Sequence, residues 1–298
     1  MAVSETIWRC PVCGGALAET GLSLQCVKRH NFDRAKKGAV YLLPSNQKHA
    51  ELPGDNPEMV RARREFLSKG FYSHLRDTIC DVLKPFVSAD GYLLDAGCGE
   101  GYYTRGIYEA TGCRLYGVDI SKTAANLAAK ADPAGHYAGA SVFHLPVRDA
   151  GCDALVSIFA PYCGAEFLRV LKPGGVFVMA IPAARHLWEL KAAVYDTPYE
   201  NEVRDYALEG FQFIEKRDAA RVLHFDNAKD ITDLFAMTPY AYRTGAKERE
   251  RLLKSIGGTL GREVGRKAGS GLGTVGKRIG SSLGNTLGRG IIGTLFKY

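Results

Sequence analysis

This sequence lacks long apolar runs and the start of a secretory signal. None of its apolar stretches reaches the length of about eighteen residues that a membrane-spanning helix needs. Residues 1–8 lack the basic start and the apolar core of a signal peptide. Hydrophobic residues make up 46% of the chain and charged residues 24%, as in ordinary globular proteins. We therefore expect a cytoplasmic protein without stable membrane association.

The eight cysteines lack the distribution of a disulfide framework. Three of them, Cys10, Cys13 and Cys26, cluster near the N-terminus, and the other five are scattered through apolar or glycine-rich segments. Free thiols are commonly buried in such segments. This distribution favours a reducing compartment and one metal site.

The net charge of +7 is concentrated near the C-terminus. Residues 255–298 hold seven Lys or Arg residues and one acidic residue, so this segment carries +6 and the rest of the chain only +1. Apolar–glycine pairs recur there at near-helical spacing, and this composition predicts a mobile, basic, glycine-rich, low-complexity tail. A helix is the alternative, although each glycine costs about 1 kcal/mol of helix propensity. Within the tail, only residues 291–298 could supply a last strand.

The remaining chain divides into three segments by composition. Residues 1–44 hold the clustered cysteines and are predicted to bind zinc, 45–90 are a polar linker and a helical segment, and 91–254 alternate strands with helices. This alternation predicts an α/β fold with a doubly wound, mostly parallel, Rossmann-like sheet. The predicted strands are 92–96, 115–120, 136–141, 154–160 and 176–181, and the predicted helices include 57–68, 72–86, 122–131 and 165–171.

A glycine-rich turn between the first of these strands and the next helix is the most specific signal in the chain. Gly97, Gly99 and Gly101 alternate with other residues there, which allows a tight turn and the close approach of a ligand. The turn opens onto a helix N-terminus, whose free N–H groups can bind polar ligand atoms. A nucleotide-like ligand is therefore expected at this turn.

The residues around the turn distinguish between two kinds of cofactor. A dinucleotide fingerprint requires glycine at the position of Tyr102, and Asp95 before the turn would repel a pyrophosphate. A cationic nucleoside without phosphates tolerates that carboxylate. Asp119 ends the second strand, eighteen residues after Gly101, where its oxygens can accept hydrogen bonds from two ribose hydroxyls. The pattern thus favours S-adenosylmethionine and a methyltransferase.

The N-terminal cluster has the spacing of a structural zinc site. Cys10 and Cys13 form one pair of ligands, and Cys26 and His30 form the other. The four ligands would close a tetrahedral site and leave no open position for catalysis. Beside them lies a basic group that is either a solvated face or a phosphate-binding surface, namely Lys28, Arg29, Arg34, Lys36 and Lys37.

Taken together, the sequence resembles the bacterial 23S ribosomal RNA guanine-N1 methyltransferase family over roughly residues 8–245. The resemblance rests on the combination of the zinc knuckle with several further blocks. These are Cys-Pro-x-Cys at 10–13, the block 26–44, Pro-Gly-Asp at 53–55, the block 59–64, Gly-Cys-Gly-Glu-Gly-Tyr-Tyr-Thr at 97–104, Ala-Pro at 160–161, Arg-His-Leu-x-Glu-Leu-Lys at 185–191 and Met-Thr-Pro at 237–239.

The resemblance implies a zinc ion on the four N-terminal ligands and 23S ribosomal RNA as the partner. It also implies that S-adenosylmethionine is contacted by Tyr72, Gly99, Glu100 and His186. Tyr162, at the end of the fourth strand, is a candidate for contact with the target base, and no residue is predicted as a general base. Two other functions remain open, that of a methyltransferase for a small metabolite and that of a non-enzymatic RNA-binding protein. The chain could also form a homodimer.

Overall fold

A computed structural model describes residues 5–35, 38–44, 54–203, 207–267 and 291–297. Its N-terminal part is a small antiparallel sheet made of β1 (Glu5–Arg9), β2 (Ala16–Thr20), β3 (Ser23–Cys26) and β4 (Asn31–Asp33). Each of these strands pairs with the next one along the chain. This sheet, together with the loops that carry the clustered cysteines, is called the ribbon below.

The other described residues form one large α/β unit. Its strands are β5 (Val40–Tyr41), β6 (Tyr92–Ala96), β7 (Arg114–Asp119), β8 (His136–Gly139), β9 (Cys152–Ile158), β10 (Leu171–Pro182), β11 (Gln212–Asp218) and β12 (Ile291–Lys297). Its helices are α1 (Pro57–Ser68), α2 (Ser73–Leu83), α3 (Tyr102–Thr111), α4 (Lys122–Ala131), α5 (Gly164–Val170), α6 (Trp188–Val194), α7 (Ala228–Ala236), α8 (Tyr240–Arg243) and α9 (Ala246–Lys267).

The strands form a sheet in the order β11-β12-β10-β9-β6-β7-β8-β5. The six strands from β10 to β5 in this order are parallel, and β12 pairs antiparallel with β10 and β11. The predicted doubly wound, mostly parallel sheet is therefore confirmed. The strand order reverses at β6, and in such sheets ligands bind outside the carboxyl ends of the strands at this point.

Local capping explains why some predicted boundaries match the structure. Helix α1 spans the predicted residues 57–68, because Asn56 accepts a hydrogen bond from the N–H of Met59 at 2.9 Å and Pro57 opens the helix. Helix α4 begins after Ser121, whose hydroxyl accepts from the N–H of Ala124 at 3.4 Å. Both caps orient loops that run along the carboxyl edge of the sheet.

The predicted tail contributes regular structure to the fold. Helix α9 continues to Lys267, so the predicted boundary at Ser255 falls inside a helix. Leu252 and Ile256 are buried in its first half, and this packing offsets the weak helix propensity of the glycines that follow. Strand β12 lies between β10 and β11, which places a last strand within 291–298 as expected. Residues 268–290, the middle of the predicted tail, lie outside the described residues.

The ribbon packs against one face of the large sheet and shares its core. Trp8 is 1% exposed, and its ring meets the ring of Tyr116 on β7 edge-on, with centroids 5.1 Å apart. Arg9 pairs with Asp149 at 3.0 Å. Strand β5, at the end of the predicted zinc-binding segment, extends the large sheet beside β8. No helix in the described ranges has the length and apolar character needed to cross a membrane.

Candidate functional site

The glycine-rich loop connects β6 to α3 with three residues in the left-handed region. The φ angles are +96° at Gly97, +56° at Gly99 and +90° at Gly101. A Cβ added at Gly99 would find Arg63 Nη1, at 3.9 Å, as its nearest neighbour among the described residues. The backbone at Gly99 is thus open to the close approach of a ligand.

The outer two glycines are required by packing within the protein. A Cβ at Gly97 would lie 2.4 Å from the Cβ of Ala160, which follows strand β9. A Cβ at Gly101 would lie 3.0 Å from the Cβ of Ala128 on α4. These contacts bring the loop against the end of β9 on one side and against α4 on the other. The loop therefore sits at the point where the strand order reverses.

Asp119, at the carboxyl end of β7, fixes the shape of this loop. Its Oδ2 accepts a hydrogen bond from the N–H of Gly99 at 2.9 Å, and its Oδ1 accepts from the N–H of Ser121 at 2.7 Å. The N–H of Cys98 donates to the carbonyl of Val118 at 3.0 Å. Burial raises the pKa of Asp119, and the two N–H donors oppose this shift. Each carboxylate oxygen retains capacity to accept a further hydrogen bond.

Asp95 places a second carboxyl group beneath the loop. It is 1% exposed, and its Oδ2 accepts from the hydroxyl of Thr104 at 2.6 Å, whereas Oδ1 has no hydrogen-bond partner among the described residues. The pKa of Asp95 is raised to about 7, mainly by burial and in smaller part by the charges of Asp119 and Glu100, whereas the Thr104 hydroxyl opposes the shift. A bound cation would favour the ionised form.

Glu100 and Arg63 complete the charged groups around the loop. Glu100 is buried, which raises the pKa of its carboxyl group, and the charge of Arg63 opposes this shift. Arg63 pairs with Asp55 and donates to the carbonyl of Met237 at 3.1 Å. Arg63 thereby links α1, the loop and the segment after α7. The sequence offered one signal for Arg63, its place within the resembling block 59–64.

An aromatic group borders the loop at the end of β9. The ring centroids of Tyr72 and His186 are 6.4 Å apart, and those of Phe159 and His186 are 5.9 Å apart with the rings nearly parallel. The structure thus brings together Tyr72 and His186, which only the resemblance had connected. His186 is buried, and its Nδ1 has no partner among the described residues. Burial lowers the pKa of His186 to about 4, so the ring is neutral at pH 7.

Tyr162 is not part of this aromatic group. Its ring is partly exposed and packs on the edge of the core, against Phe167 at 5.5 Å and Phe177 at 6.1 Å. Phe159, which is 43% exposed and has a φ of +54°, belongs to the group instead, and the expected contact of Tyr162 with the target base stays a prediction. A left-handed φ at an aromatic residue is strained and often marks a functional site.

The four predicted zinc ligands converge in the ribbon. Their ligand atoms all lie within 4.8 Å of one another. The Sγ atoms of Cys10 and Cys26 lie 3.5 and 3.4 Å from His30 Nδ1, and the Sγ atoms of Cys13 and Cys26 are 3.7 Å apart. A tetrahedron with Zn–S bonds of about 2.3 Å and Zn–N bonds of about 2.0 Å has edges of roughly 3.5 to 3.8 Å. The four side chains fit a structural zinc ion.

Two models of known protein families match this chain, one in its N-terminal part and one in the large α/β unit. A family model described as "RlmA, N-terminal" matches residues 8–51, and one described as "Methyltransferase domain" matches residues 94–179. The first match covers the ribbon from the end of β1 onward, with its four converging ligands, and continues through β5. The second runs from β6 to β10 and includes the glycine-rich loop.

Three curated relatives extend these matches. YxjB of Bacillus subtilis (strain 168), provisionally named a 23S rRNA (guanine-N(1)-)-methyltransferase, is 31% identical over 267 residues, 85% of this chain and 93% of the relative. The 23S rRNA (guanine(748)-N(1))-methyltransferase of Streptomyces fradiae is 33% identical over 193 residues, 62% of this chain and 67% of the relative. The malonyl-[acyl-carrier protein] O-methyltransferase of Serratia marcescens is 32% identical over 121 residues, 38% of this chain and 47% of the relative.

Proposed function

This chain belongs to the 23S rRNA (guanine-N(1)-)-methyltransferase family and is an S-adenosylmethionine-dependent methyltransferase, and we propose that its acceptor is N1 of a guanine in a 23S ribosomal RNA hairpin. The observation that carries this proposal is the presence of the ribbon and the glycine-rich loop in one chain that matches YxjB over 85% of its length. Ribosomal RNA as the substrate would place the protein in the cytoplasm.

The carboxylates around the loop suit a cationic nucleoside cofactor. We assign the ribose hydroxyls to Asp119, whose two oxygens are already oriented by backbone N–H groups. The unpaired Oδ1 of Asp95 supplies negative charge for the cationic part of the cofactor. Glu100 and the backbone of Gly99 lie on the same loop and complete the contacts. When bound, S-adenosylmethionine supplies a methyl group on a sulfonium, which leaves by in-line displacement.

Tyr72 and His186 form the other wall of this site in the proposal. A neutral His186 adds no positive charge beside a cationic cofactor, and its pKa of about 4 keeps it neutral at working pH. The exposed ring of Phe159 stacks on His186 and offers a flat surface for the target base. A base within a duplex would have to leave the helix to reach it, which favours a loop or hairpin target.

The basic residues of the ribbon differ in their availability for RNA. Arg34 pairs with Glu19, so its charge is already matched within the protein. Lys28 and Arg29 are exposed beside the metal cluster, in the turn between Cys26 and His30. These two residues are therefore the proposed phosphate contacts, because charges on a solvated turn can approach a backbone without losing an internal partner. Lys36 and Lys37 lie outside the described residues.

The proposal predicts the position of the methyl group on the acceptor. Purified zinc-loaded protein, incubated with labelled S-adenosylmethionine and unmodified 23S and 16S ribosomal RNA, should label 23S RNA only. A methyl group on guanine N1 blocks the Watson–Crick edge, so reverse transcription should stop beside one guanine of a hairpin loop. The Asp119→Ala variant serves as the inactive control.

Two outcomes would contradict this assignment. Label on a small acceptor, with none in ribosomal RNA, would favour a methyltransferase for a small metabolite. Label in RNA without a reverse-transcription stop would place the methyl group on another atom.

A further inference from the structure

A buried lysine lies behind the turn that carries His186. Lys191, on α6, is 1% exposed, and its Nζ donates to the carbonyl of Tyr199 at 2.9 Å and to Oδ1 of Asn201 at 2.7 Å. The ammonium also lies 4.2 Å from the centre of the Tyr199 ring and 5.0 Å from that of Tyr240. No carboxylate of the described residues lies within ion-pair distance of it. Burial lowers the pKa of Lys191, and the charge of Glu200, which pairs with Arg185, opposes this shift from a greater distance. A buried cation whose direct contacts are all neutral is costly, so a positional role is the natural explanation.

The contacts of Lys191 determine how the Asn201 amide is oriented. Oδ1 of Asn201 accepts from Lys191 and, at 3.0 Å, from the hydroxyl of Tyr240. With both donors on the oxygen, the amide NH₂ points away and donates to the carbonyl of Ala183 at 2.9 Å. The backbone N–H of Asn201 donates to the next carbonyl, that of Ala184, at 2.7 Å. Asn201 therefore holds two consecutive carbonyl groups.

These two carbonyl groups belong to the turn that presents His186. The carbonyl of Ala183 also accepts from the N–H of His186 at 3.0 Å, so Asn201 and His186 share one acceptor. Leu187, the next residue, has a φ of +56°. A strained residue keeps such a conformation only when surrounding contacts hold it. The clamp from Asn201 is such a contact.

We propose that Lys191 is a positioning residue, which fixes the Asn201 amide so that it clamps the 183–187 turn and holds His186 against S-adenosylmethionine. This inference rests on the proposed contact between His186 and the cofactor. Loosening the clamp lets the imidazole leave its place beside Tyr72 and Phe159. The consequence falls on cofactor binding, because neither Lys191 nor Asn201 is among the groups assigned above to the cofactor or the target base.

Two substitutions separate this role from a general contribution to folding. In Asn201→Asp, both carboxylate oxygens can still accept from Lys191 and Tyr240, but the donor to the carbonyl of Ala183 is lost. In Lys191→Met, an apolar chain of similar length fills the space among the tyrosines, and the Asn201 oxygen keeps only the Tyr240 hydroxyl of its two donors, so the amide is held less firmly. Lys172→Met is the matched control, since Lys172 also combines a hydrogen bond, to Asp153 at 2.7 Å, with an aromatic neighbour, Tyr92.

The dissociation constant of S-adenosylmethionine, measured by calorimetry without any RNA, is the main readout. We expect it to rise roughly five- to tenfold in Asn201→Asp and in Lys191→Met, as for the loss of one hydrogen bond, and to stay within twofold in Lys172→Met. With 23S RNA as the acceptor, the KM for S-adenosylmethionine should rise by the same factor. The kcat should stay within about twofold, a split that general destabilisation would not produce.

His186→Ala distinguishes the possible failures. If His186→Ala weakens cofactor binding but neither clamp variant does, the clamp is wrong and the His186 contact stands. If His186→Ala binds the cofactor like the parent protein, the assumed contact is wrong and the clamp proposal falls with it. If Lys191→Met alone binds the cofactor as tightly as the parent protein, the proposed role of the lysine is wrong. If Asn201→Asp fails to fold, the dissociation constant of Lys191→Met decides whether the clamp proposal stands. The dissociation constants, measured without RNA, do not depend on which RNA is methylated.

Discussion

Replacing Asp119 by alanine is expected to weaken the binding of S-adenosylmethionine by at least about 100-fold. In the proposed site this carboxylate accepts hydrogen bonds from the two ribose hydroxyls, and bonds to a charged acceptor contribute about 1.5 to 3 kcal/mol each. The same oxygens hold the N–H groups of Gly99 and Ser121, at 2.9 and 2.7 Å, so the loop loses its shape as well. The measurement is a calorimetric titration of the variant with the cofactor.

Asp153→Ala is a matched control for the Asp119 variant. Asp153 also accepts a hydrogen bond from a backbone N–H, that of Tyr92 at 2.8 Å, and pairs with Lys172 at 2.7 Å. Asp153 is the second residue of β9 and lies at the amino ends of the parallel strands, whereas the glycine-rich loop lies at their carboxyl ends. We expect Asp153→Ala to lower stability and to bind the cofactor within threefold of the parent protein. Equal losses of affinity in the two variants, or none in Asp119→Ala, would contradict the assignment of the site.

Removal of zinc is the second large effect, and it should destabilise the whole chain in a single transition. We expect Cys26→Ser to lower the midpoint of thermal unfolding by at least about 10 °C, because a structural zinc ion supplies much of the folding free energy of its domain. The loss of stability should extend to the large sheet, because Trp8 of the ribbon packs on Tyr116 of β7. Leu17 and Leu24 of the ribbon also share one buried cluster with Leu94 of β6. The loss of the ribbon therefore uncovers one face of that sheet.

Cys163→Ser provides the control for the loss of a thiol. Cys163 is a partly exposed free cysteine at the start of α5, outside the zinc cluster, and its replacement should shift the midpoint by no more than about 2 °C. A chelator should lower the midpoint of the parent protein as much as Cys26→Ser does. Two separate transitions, with the later one unchanged by zinc removal, would show that the ribbon folds independently of the sheet.

Local sequence signals predicted the parts of this fold that depend on local contacts. Helix α1 was predicted at 57–68 from its residue pattern, and in the structure Asn56 caps its start; α4 was predicted with Ser121 as its cap. The glycine-rich loop was recognised because left-handed φ angles and close packing leave few alternatives to glycine at Gly97 and Gly101. The positions of the two carboxylates at Asp95 and Asp119 follow from the ends of two adjacent parallel strands.

Contacts between distant parts of the chain were beyond the reach of sequence patterns. Strand β12 follows a glycine-rich segment and pairs with strands more than 70 residues earlier in the chain, so no local pattern marked it as an internal strand. The bond from Arg63 to the carbonyl of Met237 spans 174 residues. Its place in the site becomes visible only when α1 and the segment after α7 are packed together.

Phe159 and Tyr162 show how one backbone angle changes a prediction. Both aromatic residues follow strand β9, and the sequence alone gave no reason to prefer Phe159. The φ of +54° at Phe159 ends the regular alternation of the strand and turns its ring toward His186. The partly exposed Tyr162 packs on Phe167 and Phe177 at the edge of the core. A single strained residue thus decides which ring borders the site.

The central claim is that Asp95, the glycine-rich loop and Asp119 form a pocket for a cationic, phosphate-free adenosine derivative. Calorimetric titration of the purified, zinc-loaded protein with S-adenosylmethionine and, separately, with a nicotinamide dinucleotide tests it most directly. We predict saturable binding of one S-adenosylmethionine per chain and no heat of binding from the dinucleotide. Absence of binding to S-adenosylmethionine, or preference for the dinucleotide, would contradict the account.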